Sequence, residues 1–305
     1  MEAILSRHCS PIEALRRRIE GKIWSVTRTS TGHLIDLSTP HGDPGLFGPA
    51  AVCWQVHDDF PAMLVGGIRA LMLQALHPLA LAGVLEHSIY RQDMRGRLAR
   101  TAQFVAGTTY GSVRDAHGLI VHVNGIHRGI AGVSADGHPY TATDPALLRW
   151  VHVAEVSSFL DAHLRNVNPQ LAPADQDRYL AETATVARLL GATDVPETRA
   201  GAESVHPGTA WRTGGQPPPA RSLLQLVTQA GANCAERLAM QIFVGAAIRL
   251  LPQWASAMVG ESLTRFVHGW TEPAMRAACV VLRWSIRNSA AMRARARVAS
   301  PQTIS

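Results

Sequence analysis

Cysteine is scarce and poorly placed for chemistry in this chain. Cys9, Cys53, Cys234 and Cys279 form no CxxC pair and no CxxCH, which excludes covalent attachment of a c-type haem. Four cysteines in 305 residues make no disulfide framework, so a reducing, cytoplasmic setting is expected. Aromatic residues are only 6%, too few for a β sandwich. Lysine is almost missing, with Lys22 the single example among 29 basic residues. The opening MEAILSRHCSPIEALRRRIEG has no apolar stretch before a cleavage site, so export by a standard signal is not expected. There is no HExxH or HxxxH, no GxSxG, no P-loop and no convincing strand leading into GxGxxG. Zinc-finger and RRM patterns are absent, as is any repeat at a fixed period.

What is abundant is apolar and helix-forming. Hydrophobic residues make up 47%, rich in alanine and leucine, enough for one large core. The pattern predicts an all-α fold: a single large helical domain around a buried central apolar helix. Ser10-Pro11, followed by Ile12, Leu15, Ile19 and Ile23, predicts an amphipathic N-terminal helix. Turn chemistry dominates 29–48, and a short helix is expected from about Pro49 to His57. Asp59 can cap a long helix over about 62–85. That stretch is apolar apart from Arg69, Gln74 and His77, and Pro78 interrupts it. Arg69 and His77 would be costly at a bilayer centre, so a buried core helix is expected, with no transmembrane segment. Gly66-Gly67 would let another helix or a cofactor approach the backbone. Further helices are expected near 93–107, 112–130, 144–165 and 173–190, with Asp136-Gly137 before Pro139 marking the turn between the second and third and Gly191 as a stop. The division expected is an N-terminal helix and irregular lead-in (1–44), a core (45–200), a Pro/Gly-rich linker or loop (201–221), C-terminal helices packed on the core (222–290) and a mobile tail (291–305).

The formal charge is +6 and the sequence pI about 9.7. Basic residues cluster at Arg16, Arg17 and Arg18 and again at Arg293, Arg295 and Arg297. Solvated termini are the ordinary reading, and no nucleic-acid partner is expected. A membrane-surface role for these arginines is the rarer one.

Two constellations could carry chemistry. Eight of the 14 histidines fall between His77 and His163. His117, His122 and His127 are spaced by five, which turns a helix by about 140° per step, so they cannot share a face or form a helical three-histidine metal site. Arg97 and Thr101 stand at i and i+4 with Arg100 beside them. That arrangement suits a carboxylate or phosphate, or simply a solvated helix paired with Asp93 or Asp115. Cys53 beside Trp54 is better read as a buried structural thiol than as a nucleophile.

Several short motifs occur together in a characteristic order. They are GLFGPAAVCWQVHDD (45–59), IRALMLQALHP (68–78), EHS (86–88), RLART (97–101), HVNGIHRGIAG (122–132), YTATDPALLRWVH (140–152) and DRYLAET…RLLGA (177–192). Over about 45–195 the chain resembles the catalytic domain shared by the latex clearing proteins (rubber oxygenases) and the MpaB-type oxygenases. The resemblance implies an all-helical fold with non-covalent haem b in a pocket between helices. It implies His127 as the metal ligand, with His77, His122 and His152 as alternatives, and Arg97 and Thr101 as cofactor-binding residues. Arg100 matches a place where a basic residue can sit over the open face in the rubber oxygenases. Glu86 is the nearest helical carboxylate for a base. The family pattern has an arginine four residues after the histidine, where this chain has Ala131.

The expected function is therefore a haem b-dependent oxygenase or oxidase, with iron held by one histidine and the opposite side open to O2. The implied substrate is small and hydrophobic: terpenoid, polyketide or peptide-derived, with an electron donor if the reaction requires one. A haem-dependent dehydrogenase or hydroxylase on the same scaffold is one alternative. A non-enzymatic helical carrier of a lipid or apolar ligand is another.

Overall fold

The computed structural model describes residues 10–27, 35–87, 94–205, 233–259 and 269–300. Among these the chain is helical apart from one two-stranded hairpin, as the composition predicts. Helix α1 covers Pro11–Thr27. Helices α2 (Val52–Asp58) and α3 (Phe60–Leu76) meet at a 92° bend. At that bend the Asp59 carboxylate accepts from the Ala62 N–H and caps α3, with Pro61 in its first turn. The long apolar run is two helices, not one. His77 is extended (φ −90°, ψ 116°) because the following proline disfavours helical backbone there, and α4 restarts at Pro78–His87.

Helices α5 (Met94–Tyr110) and α6 (Val113–Arg128) form a hairpin through Gly111 and Ser112, with the Ser112 hydroxyl capping α6 at Asp115. The turn expected at Asp136-Gly137 is the tip of a β-hairpin. Strand β1 (Ala131–Val133) pairs antiparallel with β2 (Pro139–Thr141), Ala131 opposite Thr141. Helix α7 (Pro145–Asn166) starts on the Asp144 cap, and α8 (Pro173–Leu189) stops before Gly191, whose φ of +104° suits glycine. The remaining helices are α9 (Arg199–Ser204), α10 (Cys234–Arg249), α11 (Gln253–Val259), α12 (Thr271–Ser285) and α13 (Ala290–Ala299).

The centre is the α3–α7 pair. A Cβ on Gly66 would lie 2.9 Å from the Ser158 carbonyl oxygen and 2.9 Å from the Phe159 Cα, so glycine sets how closely these helices meet. Beside this contact, buried Arg69 is fully engaged. Its Nε donates to the Leu250 carbonyl, Nη1 to Ser158 Oγ, and Nη2 pairs with Asp161 at 2.9 Å. Helix α7 divides two cores. One gathers α3, α4 and α10–α12 on one side; the other gathers α2, α5, α8 and α13.

Two expectations about the ends need correction. Residues 290–299 are not a mobile tail but α13, capped by Ser289 and carrying fully buried Arg297. Nor are all the terminal arginines solvated. Arg297 donates to the carbonyls of Leu37, Asp43 and Gly111, Arg295 pairs with Asp58, and Arg16 is buried between Glu13, Glu20 and the Ser285 carbonyl. Buried guanidinium groups persist where carbonyls and carboxylates accept from each of their nitrogens. The linker expected at 201–221 falls mostly outside the described residues; its first part ends α9. Among the described residues no single helix is long and apolar enough to cross a membrane, and the bent α2–α3 pair is largely core.

Candidate functional site

Helix α6 is amphipathic with one exception. Its inward stripe runs Ala116, Ile120, Val123 and His127, at steps of four, three and four. His127 thus continues an apolar face into the last turn, where its Nδ1 is buried with no hydrogen-bond partner. Burial lowers its pKa, keeping the ring neutral. His117 and His122 are exposed on the outer side, as their spacing requires.

Arg97 lies at the same end of the α5–α6 hairpin. A Cβ on Gly107 would meet Leu119, which registers the two antiparallel helices. From that contact Arg97 is about 15 Å back along α5 and His127 about 12 Å on along α6, at 1.5 Å per residue. The Arg97 guanidinium is partly buried, and desolvation and then Arg100 lower its pKa. Among the described residues no carboxylate contributes, so there this cation has no counter-anion. Arg100 is exposed. Thr101 is exposed too, and its hydroxyl donates to the Arg97 carbonyl one turn back.

Helix α7 supplies two further groups. His152 Nε2 is buried without a partner, and burial, then the Arg188 charge, lower its pKa to about 4. One turn on, Glu155 is partly buried, makes no hydrogen bond among the described residues, and has its carboxyl pushed up to about 7 by desolvation. A chain of contacts links these residues to α6. Asn124, one turn before His127, donates to the Leu189 carbonyl at 3.0 Å, and Leu189 follows the Arg188 that His152 senses. The α8 C-terminus therefore bridges the His127 turn and the His152 turn. Sequence reasoning missed Glu155. Its one signal was a lone carboxylate in the apolar run VHVAEVSSFL.

The other candidates are committed elsewhere. His77 Nδ1 accepts from the Ala80 N–H and its ring meets Trp150 edge-on at 4.3 Å. That hydrogen bond leaves the ring proton on Nε2, the wrong tautomer for ligation through that atom. Glu86 is exposed and accepts from Tyr140 Oη at 2.6 Å, tying α4 to the hairpin. Burial and this bond raise the Tyr140 pKa to about 12. Ala131 is not on the face of His127 at all. Helix α6 ends at Arg128, and residue 131 opens β1, where its carbonyl meets His87 Nε2. Cys53 is fully buried, and burial raises its thiol pKa, as expected of a structural cysteine.

A separate cavity of about 310 Å³ lies on the other side of α7, lined by Arg69, Trp150, Val153, Asp161, Arg199 and Trp254 among others. On the helical wheel these α7 positions oppose His152 and Glu155. Its charges are mutually paired, Arg69 and Arg199 both holding Asp161. It lies apart from the face of α7 that carries His152 and Glu155.

The family model described as "ER-bound oxygenase mpaB/B'/Rubber oxygenase, catalytic domain" matches residues 54–284. The chain belongs to this family. The match runs from α2 into α12, well beyond the 45–195 span suggested by the motifs, and includes Arg97, His127, His152 and Glu155. Helices α1 and α13 lie outside it. This mpaB/rubber oxygenase domain is thus an enzyme of the oxygenase type. No curated protein and no solved structure matches it.

Proposed function

We propose that the chain is a haem b-dependent oxygenase that acts with O2 on a small hydrophobic substrate of terpenoid, polyketide or peptide-derived character. The observation that carries this reading is Arg97. A partly buried guanidinium with no anion is unfavourable unless a ligand brings the anion. Haem b fits the residues present, having two carboxylates for Arg97 and an iron for a neutral imidazole. His127 is the assigned ligand, since it continues an apolar stripe and has an unpartnered buried nitrogen. His152 shares the second property and is the alternative.

Haem supplies, when bound, an iron centre at which O2 can be activated. The rest is done by the chain. Arg97 neutralises and orients the carboxylates through its forked donors. The Ala116–Val123 stripe of α6 keeps water from the imidazole. Glu155, with its carboxyl pushed up to about 7, is protonated in roughly half of the molecules at neutral pH and can exchange that proton. Glu86, exposed and bonded to Tyr140, is less suited to that task.

The test is reconstitution with hemin. A Soret band that His127→Ala abolishes or shifts, and that His152→Ala leaves in place, is the expected result. No Soret band in the wild type overturns the haem reading, and the reverse mutant pattern moves the ligand to His152.

A further inference from the structure

Helices α1 and α12 share an outer surface. Arg16 Nη1 donates to the Ser285 carbonyl at 2.8 Å, which sets the first turns of α1 beside the last turn of α12. Apolar side chains face outward on both. On α12, Val280 is 66% exposed, Val281 45% and Trp284 38%; on α1, Ile12 is 66% and Leu15 54% exposed. With exposed Ala277, the α12 positions follow i, i+3, i+4 and i+7, one face of a helix. The opposite face, through Met275 and Cys279, is already in the core. Helix α12 is therefore apolar on two sides, and the protein buries one. Single exposed apolar residues are ordinary, but a continuous stripe with a tryptophan marks a binding surface.

The same surface is basic. Of the seven arginines and lysines in residues 11–27 and 271–287, Arg16 is buried, Arg283 is held by Asp59 and Lys22 by Glu236, which leaves Arg17, Arg18, Arg276 and Arg287 beside Glu13, Glu20 and Glu272. Arg17, Arg18, Arg276 and Arg287 are exposed. The pairs Arg17–Glu13 and Arg276–Glu272 lie at the surface, where such pairs hold weakly.

Charge and apolarity together select the occupant. A second copy docked about a two-fold axis would set these arginines against themselves. A nucleic acid would use the charge and leave Val280 and Trp284 in water. An anionic bilayer uses both, its headgroups meeting the arginines and its acyl boundary receiving the valines, with indole at the interfacial depth. We propose that α1 and α12 form a docking face for an anionic lipid surface, on which the protein lies without inserting a span.

The experiment is flotation of the full chain with phosphatidylcholine vesicles, with and without phosphatidylserine. Binding to the mixed vesicles, weakened by salt and at least about tenfold lower in the Val280→Asp/Trp284→Asp double variant, is expected. A thermal melt checks that the variant is folded. Should it not fold, Arg17→Glu/Arg18→Glu serves instead and should lose the preference for anionic vesicles. No flotation of the wild type overturns the proposal, as does undiminished binding of a folded variant. Light scattering that shows a dimer, abolished by the double variant, would replace the membrane with a second copy. The outcome is independent of any Soret band, so the haem reading and this one stand or fall separately.

Discussion

Arg97 shows how a binding residue can be recognised by what it lacks. A guanidinium held out of water with no anion destabilises the ligand-free protein. Arg97→Met should therefore raise the apo protein's stability by about 1 kcal/mol, read as a higher urea midpoint, while weakening hemin binding. Glu155 makes a prediction of the same kind. Its folded pKa of about 7 exceeds its ordinary value of 4.5, so between these values the folded state holds a proton the unfolded chain releases. The stability this contributes is present below pH 4.5 and is lost as pH rises towards 7, at most about 1.4 kcal/mol per pH unit. Glu155→Gln should remove that slope from melting temperatures taken across this range. The arginine was legible in RLART by spacing and by resemblance. Glu155 was not, because nothing in a sequence states whether one carboxylate in an apolar run is turned outward or inward.

The helices were largely readable at the scale of elements, because their caps are local. Asp59, Ser112 and Asp144 each accept a backbone N–H at the start of a helix that was expected; Ser289 caps α13 in the same way, yet that stretch was expected to be a mobile tail. The break at His77-Pro78 was readable in the proline, yet the apolar run concealed that it separates two helices. The β-hairpin was seen only as a turn, since strands of three residues leave almost no pattern. At the α3–α7 contact, Gly66→Ala should cost about 1–3 kcal/mol, because the new methyl meets the Ser158 carbonyl and the Phe159 backbone. Gly67→Ala meets only the far edge of the Phe159 ring, at 3.9 Å, and should be close to neutral in the same denaturation experiment.

Over the whole molecule, buried neutral histidines shape the response to acid. Burial lowers the pKa of His57 to about 3, His77 to about 3 and His152 to about 4, from 6.5. Between those values and 6.5 the unfolded chain binds more protons than the folded one, so stability falls as pH drops below about 6.5. Glu155 acts in the opposite sense above pH 4.5 and offsets part of this. Melting temperature should fall steadily from pH 6.5 to 4, and a flat profile would contradict the burial of these rings. Sequence could not rank them, because burial depends on how α2, α3 and α7 pack.

Arg297 has a consequence for the order in which the fold is completed. Its three carbonyl partners lie 186, 254 and 260 residues earlier in the chain. During synthesis, the turn around Leu37–Asp43 and the α5–α6 connection must wait for α13 to emerge before their acceptors are satisfied. Contacts of such separation form late, after the loops they close have paid their entropy. Helix α13 thus locks segments made 186 to 260 residues before it.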